Sequence, residues 1–495
     1  MTNLVLPVVV LGALSLGGCD PEYIGGNVSD PEQPTGTPES ETAMVYFKDG
    51  TGHRHVLTAY NELGGGRSFA GLSISHDDGG SWARLGPLPQ PEATCDPSGV
   101  EICPKFLRGD PWLATNGTKI LYSFLASTQQ LATQNAPPDG VAIAESVDGI
   151  SWTPWKLALH QPNTQVDKPS LSMFGSTAVI AAVEHSIPPG AFQPVIMVTS
   201  EDSGSSWSDP PFVLNMPLTG ILGNPIVKLT SPTQGYLAYM HFDTSLDEAA
   251  YDVQVVRMER ASTVTDHWNV TPILTLSGLP RKASIEGAAG RFWRDWIPVS
   301  FDIGEGGNCV GDTCQGGTHL YLAVRRFSPD DDADITRVWD CNDAAEKPCA
   351  DEAGIWRETA FPPQNNGEYQ YQPSVTTSKL PNDRTVALNW YQQTSAGSTF
   401  MHLIGAYSTD GGDTWSPHYA EEGRAHAWEP CPTPCGNNPC GVNNPRSYGD
   451  YFQSAILPLT YSVEDWPWIV TTFAHSEQCD GGISSYDQHV QSIVW

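Results

Sequence analysis

The chain has 495 residues, of which 16% are charged, while Gly and Pro contribute 47 and 41. Globular chains average about 25% charged residues and about 12% Gly plus Pro, so this one is rich in turns and poor in charge-laced helical surface, which excludes a coiled coil, a helical bundle and a collagen-like fibre. A formal net charge of −31 repels phosphate backbones and anionic headgroups, and so argues against nucleic acid as a partner.

At the start of the chain, Leu4 to Gly18 is an apolar run too short to span a bilayer comfortably. It ends in Leu16-Gly17-Gly18-Cys19, which resembles a bacterial lipobox. That resemblance implies a signal peptide over residues 1–18 and a lipid on Cys19. Residues 19–43 are polar and Pro-rich, cannot bury a core, and are expected to form a disordered tether. No later run reaches the ~18 apolar residues of a spanning helix. The expected product is a lipoprotein of the bacterial cell envelope, in the periplasm or on the outer surface. Its membrane contact would run through the N-terminal lipid alone.

Eleven Cys include Cys19, and the other ten predict disulfide bonds, which persist in an oxidising compartment. Close spacing pairs Cys95 with Cys103, Cys309 with Cys314 and Cys341 with Cys349. Cys431, Cys435, Cys440 and Cys479 are left to pair among themselves. A zinc site at Cys431, Cys435 and Cys440 is disfavoured, because the spacing misses the usual zinc patterns and no suitably placed His is near.

One string then recurs: SHDDGGSW from Ser75, SEDSGSSW from Ser200, STDGGDTW from Ser408, and a shorter SVDGISW from Ser146. The pattern Ser-x-Asp-x-Gly-x-Ser/Thr-Trp suits a turn between two strands. Asp can accept bonds from the turn's own backbone, Gly can supply positive φ, and Trp packs beside the hairpin. It resembles the Asp-box (BNR) repeat of sialidase-like β-propellers. That resemblance implies that each box joins the third and fourth strands of a blade at the outer rim, and that its Asp is structural.

Strand patterns around the boxes divide the chain into units of β-branched and aromatic runs separated by turn residues. They predict an all-β fold, a single β-propeller over residues 44–495 with seven four-stranded blades, six being the alternative. The fourth blade lacks a box, and in the fifth the Cys341–Cys349 loop takes its place. The last blade offers three strands. A segment just before Met44 is expected to supply the fourth, since an open sheet edge invites aggregation.

Propeller ligands usually meet the central channel where the innermost strands begin. Polar residues recur there: Arg108-Gly-Asp110-Pro111, Asp167-Lys168-Pro169, Asn224-Pro225, Arg294-Asp295-Trp296, Tyr369-Gln370-Tyr371-Gln372 and Arg446-Ser-Tyr448-Gly449-Asp450-Tyr451. The sialidase resemblance implies three Arg on a substrate carboxylate, a Tyr nucleophile assisted by Glu, and an Asp acid/base. Arg suits a carboxylate because its planar fork donates two parallel bonds. The candidates are Arg108, Arg294 and Arg446 for the substrate, with Asp295, Asp450 and Trp112 beside them. Asp110, Asp167, Glu286, Tyr369 and Tyr448 are the catalytic candidates. A different hydrolase would pair two carboxylates, such as Asp110 with Asp295 or Asp450.

Asp330, Asp332 and Asp334 have the alternating spacing of a calcium loop, but the Gly and Glu of an EF-hand are missing and no other cofactor is indicated. The functional expectation is a monomeric, glycan-recognising propeller, in its enzymatic form an exo-α-sialidase-like glycosidase. The alternative is a non-catalytic module that binds a glycan or a cell-envelope protein.

Overall fold

The computed structural model describes residues 26–27, 39–62, 70–89, 106–128, 138–162, 164–185, 193–214, 221–242, 250–262, 267–280, 299–310, 313–344, 348–352, 354–361, 369–379, 383–393, 400–419, 425–426, 452–457, 468–478 and 486–494. They form antiparallel sheets arranged as a single all-β propeller. Among the described residues no helix is long and apolar enough to cross a membrane.

Six blades are each built from strands consecutive in the chain. Blade one comprises Glu39–Lys48, Arg54–Glu62, Ala70–Ser75 and Ala83–Arg84. Blade two comprises Phe106–Thr115, Ile120–Ser127, Gly140–Ser146 and Lys156–His160. Blade three comprises Gln165–Phe174, Thr177–His185, Val195–Ser200 and Phe212–Val213. Blade four comprises Ile221–Ser231, Gln234–Phe242, Ala250–Glu259 and Asn269–Pro280. Blade five comprises Val299–Val310, Thr313–Ser328, Ala333–Ala344 and Arg357–Phe361. Blade six comprises Gln370–Thr377, Val386–Gln393, Phe400–Ser408 and Ser416–Tyr419, with Ala425–His426 also pairing its third strand.

A seventh four-stranded antiparallel sheet, drawn from both ends of the chain, closes the ring. Its strands are Gln453–Leu457, Trp468–Gln478, Tyr486–Val494 and the short Gly26–Asn27, which pairs with Tyr486–Val494. The outermost strand therefore comes from inside the segment expected to be tether, well before Met44. The first strand of blade one likewise starts at Glu39, ahead of the expected boundary. Thr42 is the reason. It is fully buried and its hydroxyl donates to Thr472 O at 2.7 Å, so this polar residue belongs to the core seam.

The repeated Ser-x-Asp turns all lie between the third and fourth strands of a blade. Ser75 Oγ accepts from Gly79 N at 2.7 Å and donates to Asp77 Oδ1 at 2.8 Å. The Asp77 carboxylate accepts from Ser81 N at 2.7 Å and Ser81 Oγ at 2.6 Å, while Trp82 Nε1 donates to Gly79 O at 3.1 Å. The turns at Ser200 and Ser408 repeat the Ser–Asp net, with Ser206 and Thr414 in the place of Ser81. The shorter copy keeps its core, with Gly149 N on Ser146 Oγ at 2.8 Å and Ser151 N on Asp148 Oδ1 at 2.6 Å.

These turns also join blades. Gly204 has a φ of 89°, and a Cβ there would meet Leu121 Cδ2 of blade two at 2.9 Å. Lys119 and Lys156 of blade two converge on Glu145 and donate onward to Ser203 O and Ser205 O in the blade-three turn. Trp82 Nε1 also reaches Ser492 Oγ of the closing sheet at 2.8 Å. Blade five has no such turn, and there the Cys341–Cys349 disulfide spans the corresponding connection. Cys309 and Cys314 stand directly opposite each other in the blade-five hairpin. Cys95, Cys103, Cys431, Cys435, Cys440, Cys479 and the lipidation candidate Cys19 lie outside the described residues.

Apolar side chains fill the space between adjacent blades. One cluster runs from Leu121 and Ile143 of blade two through Ile180, Val198 and Val255 to Leu322 of blade five. Each fully buried Leu, Ile or Val contributes ~1.5–3 kcal/mol. Nearer the channel the contacts become polar. Ser170 and Ser172 hydroxyls accept from Val227 N and Leu229 N of the next blade, and Ser300 and Asp302 accept from Val375 N and Thr377 N. Asp302 is buried between Lys228 at 2.9 Å and Lys379 at 2.8 Å. These bonds fix the relative height of neighbouring inner strands, and so the level at which the next residues meet.

Candidate active site at the channel mouth

Four inner strands carry the same local device. Asp110, Lys168, Asn224 and Gln372 each precede a Pro, and each has a left-handed backbone, with φ of 51°, 50°, 44° and 46°. In every case the strand pairing shifts across that position, between Gly109 and Trp112, Asp167 and Ser170, Gly223 and Ile226, and Tyr371 and Ser374. A residue before Pro is normally pushed to an extended conformation. A left-handed backbone outside Gly costs ~1–3 kcal/mol, and such strain persists where surrounding structure enforces it, commonly at functional sites. The bulge takes one polar residue out of the strand's alternation in four blades at one level. At the first of them Gly109 is required. Its φ is 96°, and a Cβ would lie 2.7 Å from Asn61 Oδ1, the atom that accepts from Asp110 N at 2.8 Å.

Two of these residues meet. Lys168 Nζ lies 3.1 Å from Asp110 Oδ2, linking blades two and three. Asp167 adjoins the pair: its Oδ1 accepts from Lys168 N at 2.9 Å, and its Oδ2 lies 3.4 Å from His185 Nε2. Burial alone would raise the Asp167 carboxyl, but the Lys168 and His185 charges hold it well below the usual carboxylate range. Asp167 is therefore an anion at neutral pH. At the seam of the next two blades, four and five, Asn224 Nδ2 donates to Val299 O at 3.2 Å. Asp110, Asn224 and Gln372 are all buried.

The sequence candidates divide as follows. Asp110 and Asp167 are brought together with Lys168. Tyr369 is buried and stacks on Tyr371 with ring centroids 6.5 Å apart, and Tyr371 in turn lies under the Arg325 guanidinium. Arg108 does not share the Asp110–Lys168 contact. Its guanidinium lies over the Phe106 ring, and burial lowers its pKa against the favourable field of Asp139. Trp112 is buried in the apolar cluster between blades, packed as core. Glu286, Arg294, Asp295, Arg446, Tyr448 and Asp450 lie outside the described residues.

Of the calcium candidates, Asp334 is buried and ion-paired with Arg325 at 2.5 Å, while Asp330 and Asp332 are exposed at the turn before it. Among the described residues no group of three or more His, Cys, Asp or Glu side chains gathers around a common point, at these Asp residues or elsewhere. Sequence reasoning passed over Lys168, Asn61 and His185. The signal for Lys168 was available in the recurrence of a polar residue before Pro. Asn61 and His185 sit on second strands, and only the blade register brings them to the site.

No protein-family model matches the chain, and no curated protein matches it. Solved structures that resemble it include an α-L-arabinanase of Penicillium chrysogenum complexed with arabinobiose. That structure has 12% identity and a TM-score of 0.41, over 72% of this chain and 92% of that one. A mutant α-L-arabinofuranosidase of Fusarium graminearum in complex with an iminosugar inhibitor has 13% identity and a TM-score of 0.44, over 78% and 97%. A mutant Trypanosoma rangeli sialidase displaying trans-sialidase activity has 11% identity and a TM-score of 0.39, over 75% and 54%. The activities named belong to those proteins.

Proposed function

We propose that this chain is an exported, lipid-anchored propeller that recognises a glycan at the channel mouth around Asp110, Lys168, Asn224 and Gln372. The observation that carries the reading is the fourfold repetition of a polar residue before Pro in a left-handed backbone, three of the four buried, on the inner strands. A carboxylate, an ammonium and two amides offer the mixed donors and acceptors that sugar hydroxyls require. The described charges favour a neutral sugar, because Lys168 already serves the carboxylate of Asp110 and adjoins that of Asp167.

In this reading the repeated turns are Asp boxes, Cys19 carries the lipid, and the propeller acts as a monomer in the cell envelope. The exo-α-sialidase form depends on Arg294, Arg446, Glu286 and Tyr448 joining Arg108 and Tyr369. Asp167, held ionised by Lys168 and His185, suits the role of hydrogen-bond acceptor or base and not that of general acid in this state.

A panel of neutral and sialylated glycans, tested for binding and for turnover with soluble residues 20–495, distinguishes these forms. Binding of a neutral glycan that Lys168→Met and Asn224→Ala each weaken at least tenfold supports the reading. Sialoside turnover abolished by Arg108→Ala, Arg294→Ala and Arg446→Ala together would restore the sialidase form. No binding and no turnover across the panel would remove the glycan reading.

A further inference from the structure

A second cluster of chemistry-bearing side chains lies away from the channel mouth, where the first hairpin of blade one meets the turn after Ser75. His55 is on the second strand and is 7% exposed, beneath Phe47 with ring centroids 5.2 Å apart. Its Nε2 lies 3.1 Å from Asp49 Oδ2. The other Asp49 oxygen accepts from Thr51 N and His53 N at 2.9 Å and from the Thr51 hydroxyl at 2.7 Å. With one oxygen accepting three bonds, the Asp49 carboxylate turns its other oxygen to His55 as an acceptor. His55 must therefore carry its proton on Nε2, which leaves the Nδ1 lone pair pointing away from Asp49.

That Nδ1 faces the Nδ1 of His76, 2.8 Å away, with the two rings nearly perpendicular at 87°. His76 is exposed and opens the pair to solvent. The remaining charged groups around it are compensated. Arg54 pairs with Asp78 at 2.7 Å, Asp77 is occupied by Ser75 and Ser81, and His53 Nδ1 is 3.0 Å from the Thr51 hydroxyl.

We propose that His55 and His76 form a two-nitrogen binding site for a late first-row divalent cation, copper(II) above all. Two nitrogens each about 2.0 Å from one ion at a right angle are about 2.8 Å apart, whereas tetrahedral coordination opens them to about 3.3 Å. The observed 2.8 Å is that of an N–H···N bond and equals the separation of adjacent ligands in the square arrangement that copper(II) prefers, so an ion seats there once the two rings turn their lone pairs toward it. Asp49 supplies what histidine ligands usually have, a carboxylate on the opposite ring nitrogen that fixes tautomer and orientation. Water completes the coordination, since the pair is open on the His76 side. Binding displaces the proton that the two Nδ1 atoms otherwise share; it passes to His76 Nε2, so that both rings ligate as neutral imidazoles. The site is independent of the glycan reading, because it lies on another part of blade one and uses none of the channel residues.

The test is a copper(II) titration of untagged soluble residues 20–495, followed by calorimetry and electron paramagnetic resonance, with zinc(II) in parallel. The expected result is one site per chain with a nitrogen-coupled copper signal, and zinc(II) bound more weakly. His76→Ala should abolish it without moving the melting temperature of the metal-free protein, because His76 is exposed. Asp49→Asn should weaken copper(II) about 10–100-fold through loss of the carboxylate on His55 Nε2. A parent that binds no copper(II), or a His76→Ala variant that binds it as tightly as the parent, overturns the proposal.

Discussion

Lys168 Nζ stands 3.1 Å from Asp110 Oδ2 and thereby ties the inner strands of blades two and three together at the channel mouth. Its backbone amide also donates to Asp167, so one lysine adjoins two carboxylates, one from each of two neighbouring bulges. Removing one partner from a buried pair leaves the other charge uncompensated and costs ~3–5 kcal/mol. Lys168→Met should therefore destabilise the protein by about 3 kcal/mol, read as a lower denaturation midpoint in urea. Adding Asp110→Asn should recover part of that loss. A double variant no more stable than the single one would show that the pair is not the cause.

Gly204 tests the coupling of the repeated turns to the neighbouring blade. Its φ of 89° disfavours any side chain, and a Cβ would press on Leu121 of blade two at 2.9 Å. Gly204→Ala should cost about 1–3 kcal/mol. The companion Leu121→Ala in the same background relieves the clash but opens a cavity, so the two effects should be non-additive in thermal denaturation. Strict additivity would mean that turn and blade do not communicate.

Why the turns were legible and the site only half so follows from chemical locality. Ser75, Asp77, Gly79 and Trp82 satisfy one another within a single connection, so eight residues carry the whole design and its repetition shows. The seam at Thr42 was hidden for the opposite reason: its partner Thr472 is at the far end of the chain, and a polar residue among polar neighbours gave no sign of burial. The channel residues fall between these cases. Asp110-Pro111, Lys168-Pro169, Asn224-Pro225 and Gln372-Pro373 could be seen to share a register. Which of them meet depends on blade order and on the bulges that turn them, and neither has a local sequence signature. Trp112 reads as a sugar platform in sequence and packs as core in the fold, because the bulge at Asp110 resets the strand's alternation.

The disulfide of blade five makes a separate prediction. Cys341 and Cys349 close a short loop where blades one, two, three and six rely on a hydrogen-bonded turn, and Asp343 within it accepts from Cys349 N and pairs with Arg257 of blade four. Closing a loop this short restrains the unfolded chain by about 2–3 kcal/mol. Cys341→Ser with Cys349→Ser should lower stability by roughly that amount, and a reductant should have no further effect at this site. If the double variant matches the parent, the Asp343–Arg257 pair alone holds the connection.

Acid should reveal the repeated turns as a group. In Asp202 and Asp410 burial alone would raise the carboxyl. The hydroxyls and amides of Ser206 and Ser200, and of Thr414 and Ser408, instead bring each down to about 2 from an ordinary 3.8. A carboxyl with a depressed folded value contributes stability that is complete above its unfolded value and is lost as pH falls through the folded one. The melting temperature should therefore hold steady from neutrality to about pH 4 and fall between about pH 4 and about pH 2. Both turns are partly open to water, so the contribution of each is modest and their sum is the observable. Asp202→Asn combined with Asp410→Asn should lower the plateau and flatten that decline, because the amides cannot titrate. A decline of unchanged steepness in the double variant would assign the acid sensitivity elsewhere, first to Asp302 between Lys228 and Lys379, whose carboxyl is held lower still.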